Sequence, residues 1–232
     1  MSKKKKEQKT ATEEVFQSLE HTAQRSEHFL EKNAKILGLV FGALVLVAMG
    51  YFAYLRFVQE PRNAEAMNEI GTAVTMFDND SMQLALHGSP GAYMGLEEVI
   101  ENYGGTDVGN LAKYYAGIAR YETGDYQGAI DILGKFNTNE AATKAMKHGA
   151  MGDAFVQLGD KDKAIKEYEK AVNASNLETM QRIFVKKGAI LAHDMGQPDK
   201  GLKLIDDFVK MYGEADMEIM RLHELLKYSG GQ

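Results

Sequence analysis

The chain has 232 residues, 44% of them hydrophobic and 26% charged, a composition typical of a globular protein rather than a disordered segment. The net charge of −6 argues against nucleic-acid binding as the main function, because a phosphate backbone needs a basic surface. The absence of cysteine excludes disulfides, thiolate metal sites and thiol catalysis. Only three prolines and no tryptophan, with many helix-forming residues, favour helix over strand.

Residues 1–35 combine a basic tail with an amphipathic pattern. Lysines cluster between residues 3 and 9, a feature typical of an orientation signal or of contact with anionic lipid. Apolar residues then recur at broadly helical spacing, at Val15, Phe16, Leu19, Ala23, Phe29 and Leu30. The pattern predicts a cytoplasmic amphipathic helix that continues into the next segment.

An uncharged apolar stretch of 20 residues follows, from Ile36 to Leu55. At about 1.5 Å per residue a helix of this length spans roughly 30 Å, the thickness of the hydrocarbon core of a bilayer. Tyr51, Phe52 and Tyr54 lie where an aromatic belt belongs. We therefore predict a transmembrane anchor over residues 36–57, with a buried core helix as the alternative.

A cleaved signal peptide is a second alternative, since Ala48 and Gly50 have the spacing of a cleavage site. The tail before the stretch and the stretch itself are both longer than in a typical signal peptide, which favours an uncleaved anchor. Eight lysines and arginines precede the stretch, whereas only Arg56 and Arg62 follow closely. This asymmetry predicts a cytoplasmic N-terminus and an exported C-terminal domain. When only the positive charges nearest to the stretch are counted, three precede it and two follow it.

Gly38 and Gly42 form a small-xxx-small pattern in this stretch, and Gly50 is expected two turns later on the same face. Such glycines let membrane helices approach closely, which predicts a packing face for another membrane helix. The alternative is that glycine is simply common in membrane helices.

Residues 58–232 contain an internal repeat. The stretches 111–136 and 146–171 align with a period of 35 residues, one more than the tetratricopeptide period. The matched positions are Gly117 with Gly152, Gly124 with Gly159, and Ala129 with Ala164.

The residue types fit helix hairpins. Small residues allow paired helices to approach, a glycine supports the positive φ of the turn, and the aspartate after it caps the next helix. A third unit has Gly196 at the turn, Pro198 in the first turn of the next helix and Gly201 in place of the packing alanine. Residues 62–77 and 93–103 predict a degenerate helix pair separated by a loop, and residues 214–228 predict an end-capping helix. The predicted fold is all-α: one transmembrane helix plus a tetratricopeptide-like α-solenoid of helix hairpins.

The anchor, GNLAKYYAGIARYETGDYQGAI and GAMGDAFVQLGDKDKAIKEYEKA resemble the YfgM-like tetratricopeptide proteins of the bacterial inner membrane, in the version found in Bacteroidota. The resemblance covers nearly the whole chain, although Gly188 and Gly201 are expected to loosen the third unit. It implies an ancillary subunit of the Sec translocon with a periplasmic repeat domain. The implied partners are the SecYEG-type translocon, a membrane-anchored PpiD-like chaperone, translocating client chains and the lipid bilayer.

In tetratricopeptide arrays the first helix of each hairpin lines a binding groove. Alignment of this chain with that pattern predicts twelve groove residues: Leu111, Tyr114, Ile118, Tyr121, Met146, Asp153, Val156, Gln157, Ile183, Lys186, Ile190 and His193. Aromatic residues and methionine suit varied apolar segments of client chains. The alternative for any one of these residues is a place in the core between helices.

The sequence contains no pattern typical of an enzyme. The six histidines are scattered, and neither a zincin motif nor a phosphate-binding loop is present. The acidic run from Asp78 to Asp80 lacks the glycine and glutamate of a calcium loop and predicts a solvated turn. We expect no cofactor, no metal and no catalysis, and we interpret the chain as an adaptor of the protein-export channel. A scaffold subunit of another cell-envelope assembly or secretion machine is the alternative.

Overall fold

The computed structural model describes residues 11–213 and 216–229, with side chains from residue 31 onward. The basic tail at residues 1–10 and the side chains of the predicted amphipathic pattern lie outside this part of the chain. Apart from two strands of two residues each, the regular structure of the described residues is helical, which confirms the all-α prediction. Two compact units are present, one ending at Gln59 and the other beginning at Glu60.

The first unit contains helix α1, Ala11–Tyr54, followed by a five-residue π-helix, Leu55–Gln59. Every side chain from Ile36 to Tyr54 is exposed, so this is not the buried core helix of a soluble domain. Among the described residues it is the one helix that by length and composition could cross a membrane.

The glycines of α1 have open space around them, because no atom lies within 4 Å of a Cβ built on Gly38, Gly42 or Gly50. In a helix with 3.6 residues per turn Gly42 lies about 40° around the axis from Gly38, and Gly50 about 80° beyond Gly42. Gly50 therefore lies beside the Gly38–Gly42 face rather than on it.

The second unit begins with the predicted degenerate helix pair, α2 (Glu60–Asp78) and α4 (Leu96–Tyr103). The segment between them was predicted to be a loop, and this was wrong. It holds a short helix α3, Met82–His87, and an antiparallel ribbon of β1, Gly88–Ser89, with β2, Tyr93–Met94.

The ribbon also moves the start of α4 from the predicted residue 93 to Leu96, because Tyr93 pairs with Ser89 and Gly95 caps the helix. Leu86 of α3 is buried in the same core cluster as Ile70 of α2 and Val99 of α4. Burial of Leu86, together with its neighbour Ala85, joins the inserted helix to the first core.

Three hairpins and one end helix complete the unit. The hairpins are α5 (Asp107–Glu122) with α6 (Tyr126–Lys135), α7 (Ala141–Gln157) with α8 (Lys161–Ala174), and α9 (Glu178–Asp194) with α10 (Pro198–Tyr212), followed by α11 (Met217–Ser229). We call α5, α7 and α9 the first helices, and α6, α8 and α10 the second helices. Each helix packs against the one before it, and two further core clusters lie within this stack.

The predicted turn chemistry is confirmed in all three hairpins. The turn glycines Gly124, Gly159 and Gly196 have φ values of 86°, 77° and 64°. Such positive values strain a residue that carries a Cβ. Asp125 and Asp160 cap the helices that follow, accepting backbone N–H bonds at 2.9 and 3.2 Å, and Pro198 begins α10.

Small residues on the first helices allow the second helices to approach closely. A Cβ on Gly117 would lie 2.5 Å from Leu133, one on Gly152 2.6 Å from Tyr168, and one on Gly188 2.6 Å from Leu204. Gly201 likewise approaches Leu226, at 2.8 Å. The expectation that Gly188 and Gly201 loosen the third unit was therefore wrong, because both glycines lie at close contacts between helices.

Candidate functional site

The first helices lie side by side along one surface of the stack. The hydroxyl of Tyr114 on α5 lies 3.9 Å from the sulfur of Met146 on α7. Lys187 on α9 donates to Asp153 on α7 at 2.6 Å. These contacts join residues 32 and 34 positions apart in the sequence, so adjacent hairpins present their first helices to the same side.

None of the twelve predicted groove residues is buried in the core. Four large apolar side chains are exposed by 40–50% of their surface: Leu111, Met146, Ile183 and Ile190. Gln157 is also exposed, and the remaining seven are partly buried. The structure thus exposes five of these residues, whereas Val156 packs against the core cluster that contains Ile165 and Tyr168.

An apolar row crosses the three first helices near their N-terminal ends. Leu111, Met146 and Ile183 each lie at the same distance in sequence before the turn glycine of their own hairpin. They are exposed by 40%, 48% and 50%. Apolar side chains that line up across neighbouring helices offer a continuous surface on which an apolar segment of another chain can pack.

Aromatic residues flank this row on α5. The ring of Tyr114 lies 5.3 Å from that of Phe136, and the ring of Tyr121 lies 5.5 Å from that of Tyr126. Burial raises the pKa of Tyr114, with a smaller contribution from Tyr115. Burial also raises the pKa of Tyr121, and the charge of Asp153 adds to the effect. Both phenols therefore stay neutral and can donate hydrogen bonds while their rings present apolar surface.

A fixed polar group lies in the middle of the surface. Asp153 accepts a hydrogen bond from the hydroxyl of buried Tyr168 at 2.7 Å and two from Lys187 at 2.8 and 2.6 Å. Burial, followed by the hydrogen bond to Asp153, raises the pKa of Tyr168 far above its ordinary value. The carboxylate is held in one place by a neutral donor and a charged donor.

Lys187 and Glu218 are groove contacts that the sequence pattern missed. Lys186 donates to Glu218 on α11 at 2.6 Å, so α11 lies beside α9 as α9 lies beside α7. One feature of the sequence could have predicted both contacts. The lysines at 186 and 187 lie about one repeat length from an acidic residue on either side, Asp153 before them and Glu218 after them. The first-helix surface therefore continues onto α11.

The described residues hold no group of three or more histidine or acidic side chains that could bind a metal ion. The residues from Asp78 to Asp80 are exposed, and Asp80 has a φ of 56° in a tight turn. A cavity of about 510 Å³ lies between α10 and α11, lined by residues that include Ile205, Val209 and Met220. None of the groove residues lines that cavity.

Residues 111–140, which include most of α5 and all of α6, match the tetratricopeptide repeat family. A crystal structure of MamA protein resembles this chain with a TM-score of 0.52 and 16% identity, covering 73% of this chain and 83% of MamA. The fold is a tetratricopeptide-like α-solenoid. A second MamA crystal structure aligns over 59% of this chain and 89% of its own, with 16% identity and a TM-score of 0.38. No curated protein matches the chain.

In this tetratricopeptide-like solenoid the predicted repeats correspond to α5–α6, α7–α8 and α9–α10. Repeat folds of this kind serve protein–protein interaction, because each hairpin adds one strip to an extended surface. The chain is thus a helical-repeat protein.

Proposed function

We propose that this protein is a membrane-anchored, non-enzymatic adaptor whose groove residues bind a segment of a partner protein. The observation that carries the proposal is the exposed row of Leu111, Met146 and Ile183 across three adjacent helices. A partner segment gains affinity by covering these side chains, and the fixed carboxylate of Asp153 and the tyrosine hydroxyls supply directional hydrogen bonds.

The proposed location is the bacterial inner membrane, with the N-terminus in the cytoplasm and the repeat domain in the periplasm. An exposed apolar helix, α1, supports the anchor, because in water so many exposed apolar side chains would be unfavourable. The excess of lysine and arginine before the apolar stretch supports the orientation.

The proposed partners are a SecYEG-type translocon, a membrane-anchored PpiD-like chaperone and emerging client chains. The support is a resemblance in sequence to the YfgM-like proteins. The anchor and the segments 109–130 and 149–171 carry this resemblance. The groove residues suit such clients, because Met146 and the tyrosines can pack against varied apolar segments.

Purification of the tagged, full-length chain from gently solubilised membranes tests the proposal. We expect translocon subunits to co-purify, and Met146→Glu to reduce the recovery of the partner that binds the groove. Met211→Glu is the matched control, since Met211 is exposed by 64% on the second helix α10. Recovery of a different envelope assembly, without translocon subunits, would favour the scaffold alternative.

A further inference from the structure

Met146 is the member of the exposed apolar row that contains sulfur. Its neighbours in the row, Leu111 and Ile183, are hydrocarbon throughout, and the chain has no cysteine. A thioether behaves as a flexible apolar side chain, whereas methionine sulfoxide is polar and disrupts surfaces that depend on methionine. Oxidation can therefore change the chemistry of the row at this one position.

A small oxidant can reach this side chain. Met146 is 48% exposed, against 64% for Met211 on α10, which lies outside the groove. Met180 and Met195 are partly buried against a core cluster of the stack. Because an oxidant must touch the sulfur to react, we expect Met146 and Met211 to be oxidised before Met180 and Met195.

The hydroxyl of Tyr114 is placed to bind the oxidised side chain. It lies 3.9 Å from the sulfur of Met146, and contact with the buried ring of Phe136, at 5.3 Å between ring centroids, positions the tyrosine ring. A thioether sulfur is a weak hydrogen-bond acceptor. The oxygen of a sulfoxide carries a large negative partial charge and accepts much more strongly. On the side facing α5 this oxygen comes within hydrogen-bonding distance of the tyrosine hydroxyl.

We propose that Met146 is a peroxide-sensitive modification site that controls partner binding at the groove. A lone pair of the thioether sulfur attacks the hydroxyl oxygen of a hydroperoxide, and the O–O bond breaks. The sulfur is oxidised by two electrons, and the peroxide is reduced as its leaving oxygen takes the proton to give water or an alcohol. The product is the sulfoxide of Met146, whose oxygen accepts a hydrogen bond from Tyr114.

Oxidation weakens the binding of an apolar partner segment for two reasons. The polar oxygen lies in the middle of the row and must lose its water when a partner covers it. Its hydrogen bond to Tyr114 also holds the side chain against α5, so that it no longer adapts to varied apolar segments. Methionine sulfoxide reductases restore the thioether, so the change is reversible. The inference rests on the proposed function, because it concerns the same groove.

Peptide mass mapping of the full-length chain after treatment with dilute hydrogen peroxide tests the modification itself. We expect Met146 to gain one oxygen at a rate comparable to that of Met211, and well before Met180 and Met195. A methionine sulfoxide reductase should remove this oxygen. Removal should be about fivefold faster in Tyr114→Phe, where the sulfoxide lacks a hydrogen bond of ordinary strength.

Photo-cross-linking from Ile183, which lies in the same row on the neighbouring first helix α9, tests the effect on binding. A photoreactive amino acid at this position in living cells should give adducts with envelope proteins. A peroxide pulse that oxidises Met146 completely should lower the adduct yield by about tenfold, the effect expected of a buried polar group that has lost its water.

Two variants of this photoreactive chain are the controls. Met146→Leu has no sulfur in the row, so peroxide should leave its adduct yield unchanged, whatever that yield is before treatment. Met211→Leu removes an accessible sulfur outside the groove, and peroxide should lower its adduct yield as much as in the natural chain. Thermal unfolding of each variant shows that the helix stack is intact in the chains compared.

Three results would overturn the inference. The first is a Met146 that stays unoxidised while Met211 is oxidised. The second is an adduct yield that survives complete oxidation of Met146, or that falls equally in Met146→Leu. The third, which removes the role of Tyr114, is an equal rate of reduction in Tyr114→Phe and in the natural chain. If the untreated chain gives no adducts at Ile183, the proposed function itself fails, and the inference with it.

Discussion

Lys187 on α9 donates to both carboxylate oxygens of Asp153 on α7, and the same carboxylate accepts the hydroxyl of Tyr168 on α8. One side chain thus ties two neighbouring first helices and a second helix together. It also lies on the surface proposed to bind a partner, so its effect on stability can be separated from its effect on binding only by matched variants.

Asp153→Ala should destabilise the repeat domain by about 1–3 kcal/mol, because it leaves the buried hydroxyl of Tyr168 without an acceptor. Lys187→Met keeps that hydrogen bond and removes only a partly exposed ion pair, so it should cost less than about 1 kcal/mol. Urea denaturation of both variants checks the order. If both variants lost the same amount of stability, the ion pair with Lys187, rather than the hydrogen bond from Tyr168, would be the stabilising contact.

Two glycine substitutions should change stability in opposite directions. Gly152→Ala places a Cβ 2.6 Å from the ring of Tyr168 and should cost about 1–3 kcal/mol. Gly71→Ala on α2 has open space around it and should stabilise by about 0.4–1 kcal/mol, because it lowers the entropy of the unfolded chain. Denaturation midpoints measure both, and a stabilising Gly152→Ala would disprove the close approach of α7 and α8.

Glu167 should make the stability of the domain depend on pH. Burial raises the pKa of this carboxyl, but hydrogen bonds from His148 at 2.7 Å and Lys170 at 2.6 Å outweigh it and hold the pKa below its ordinary value. A lowered pKa means that the carboxylate stabilises the fold above the unfolded-state pKa of about 4.3. That contribution is lost as the pH falls through the lower pKa of the folded state.

Glu167→Gln should therefore cost about 2 kcal/mol at pH 7, the value of hydrogen bonds to a charged group. The difference from the natural chain should shrink as the pH falls below about 4. Unfolding free energies measured from pH 7 to pH 3 check this, with the exposed Glu101→Gln as a control that should show little change. A difference that stays constant with pH would contradict the assigned role of the carboxylate.

Local features of the fold could be predicted from the sequence because neighbouring residues determine them. A glycine followed by an aspartate specifies a turn and a helix cap at Gly124 and Gly159 regardless of what packs nearby. The α3 helix and its ribbon could not be predicted in this way. Their segment contains turn residues, and the helix is stabilised by the burial of Ala85 and Leu86 against residues that lie far away in the sequence.

Groove contacts were only partly predictable. The pattern identified accessible positions on the first helices, but not that Asp153 pairs with Lys187, which is 34 residues away. The sequence also could not distinguish a glycine that makes a helix less stable from a glycine that lets a neighbouring helix pack closely. Gly188 proved to be of the second kind.

The proposed orientation of the anchor predicts which residues would face the periplasm. In spheroplasts a membrane-impermeant maleimide should label Lys161→Cys on α8, whereas Ser2→Cys should react only after lysis. The chain's lack of cysteine removes any background from itself. Labelling of Ser2→Cys in intact spheroplasts, with Lys161→Cys protected, would place the repeat domain in the cytoplasm.

Site-specific photo-cross-linking in living cells tests most directly whether the first-helix surface binds a partner. A photoreactive amino acid at Met146, in the exposed apolar row, should give defined adducts with envelope proteins. The same amino acid at Met211, which is 64% exposed on a second helix against 48% for Met146, should give none of these adducts. No adducts at Met146, or the same adducts at both positions, would contradict the proposed groove.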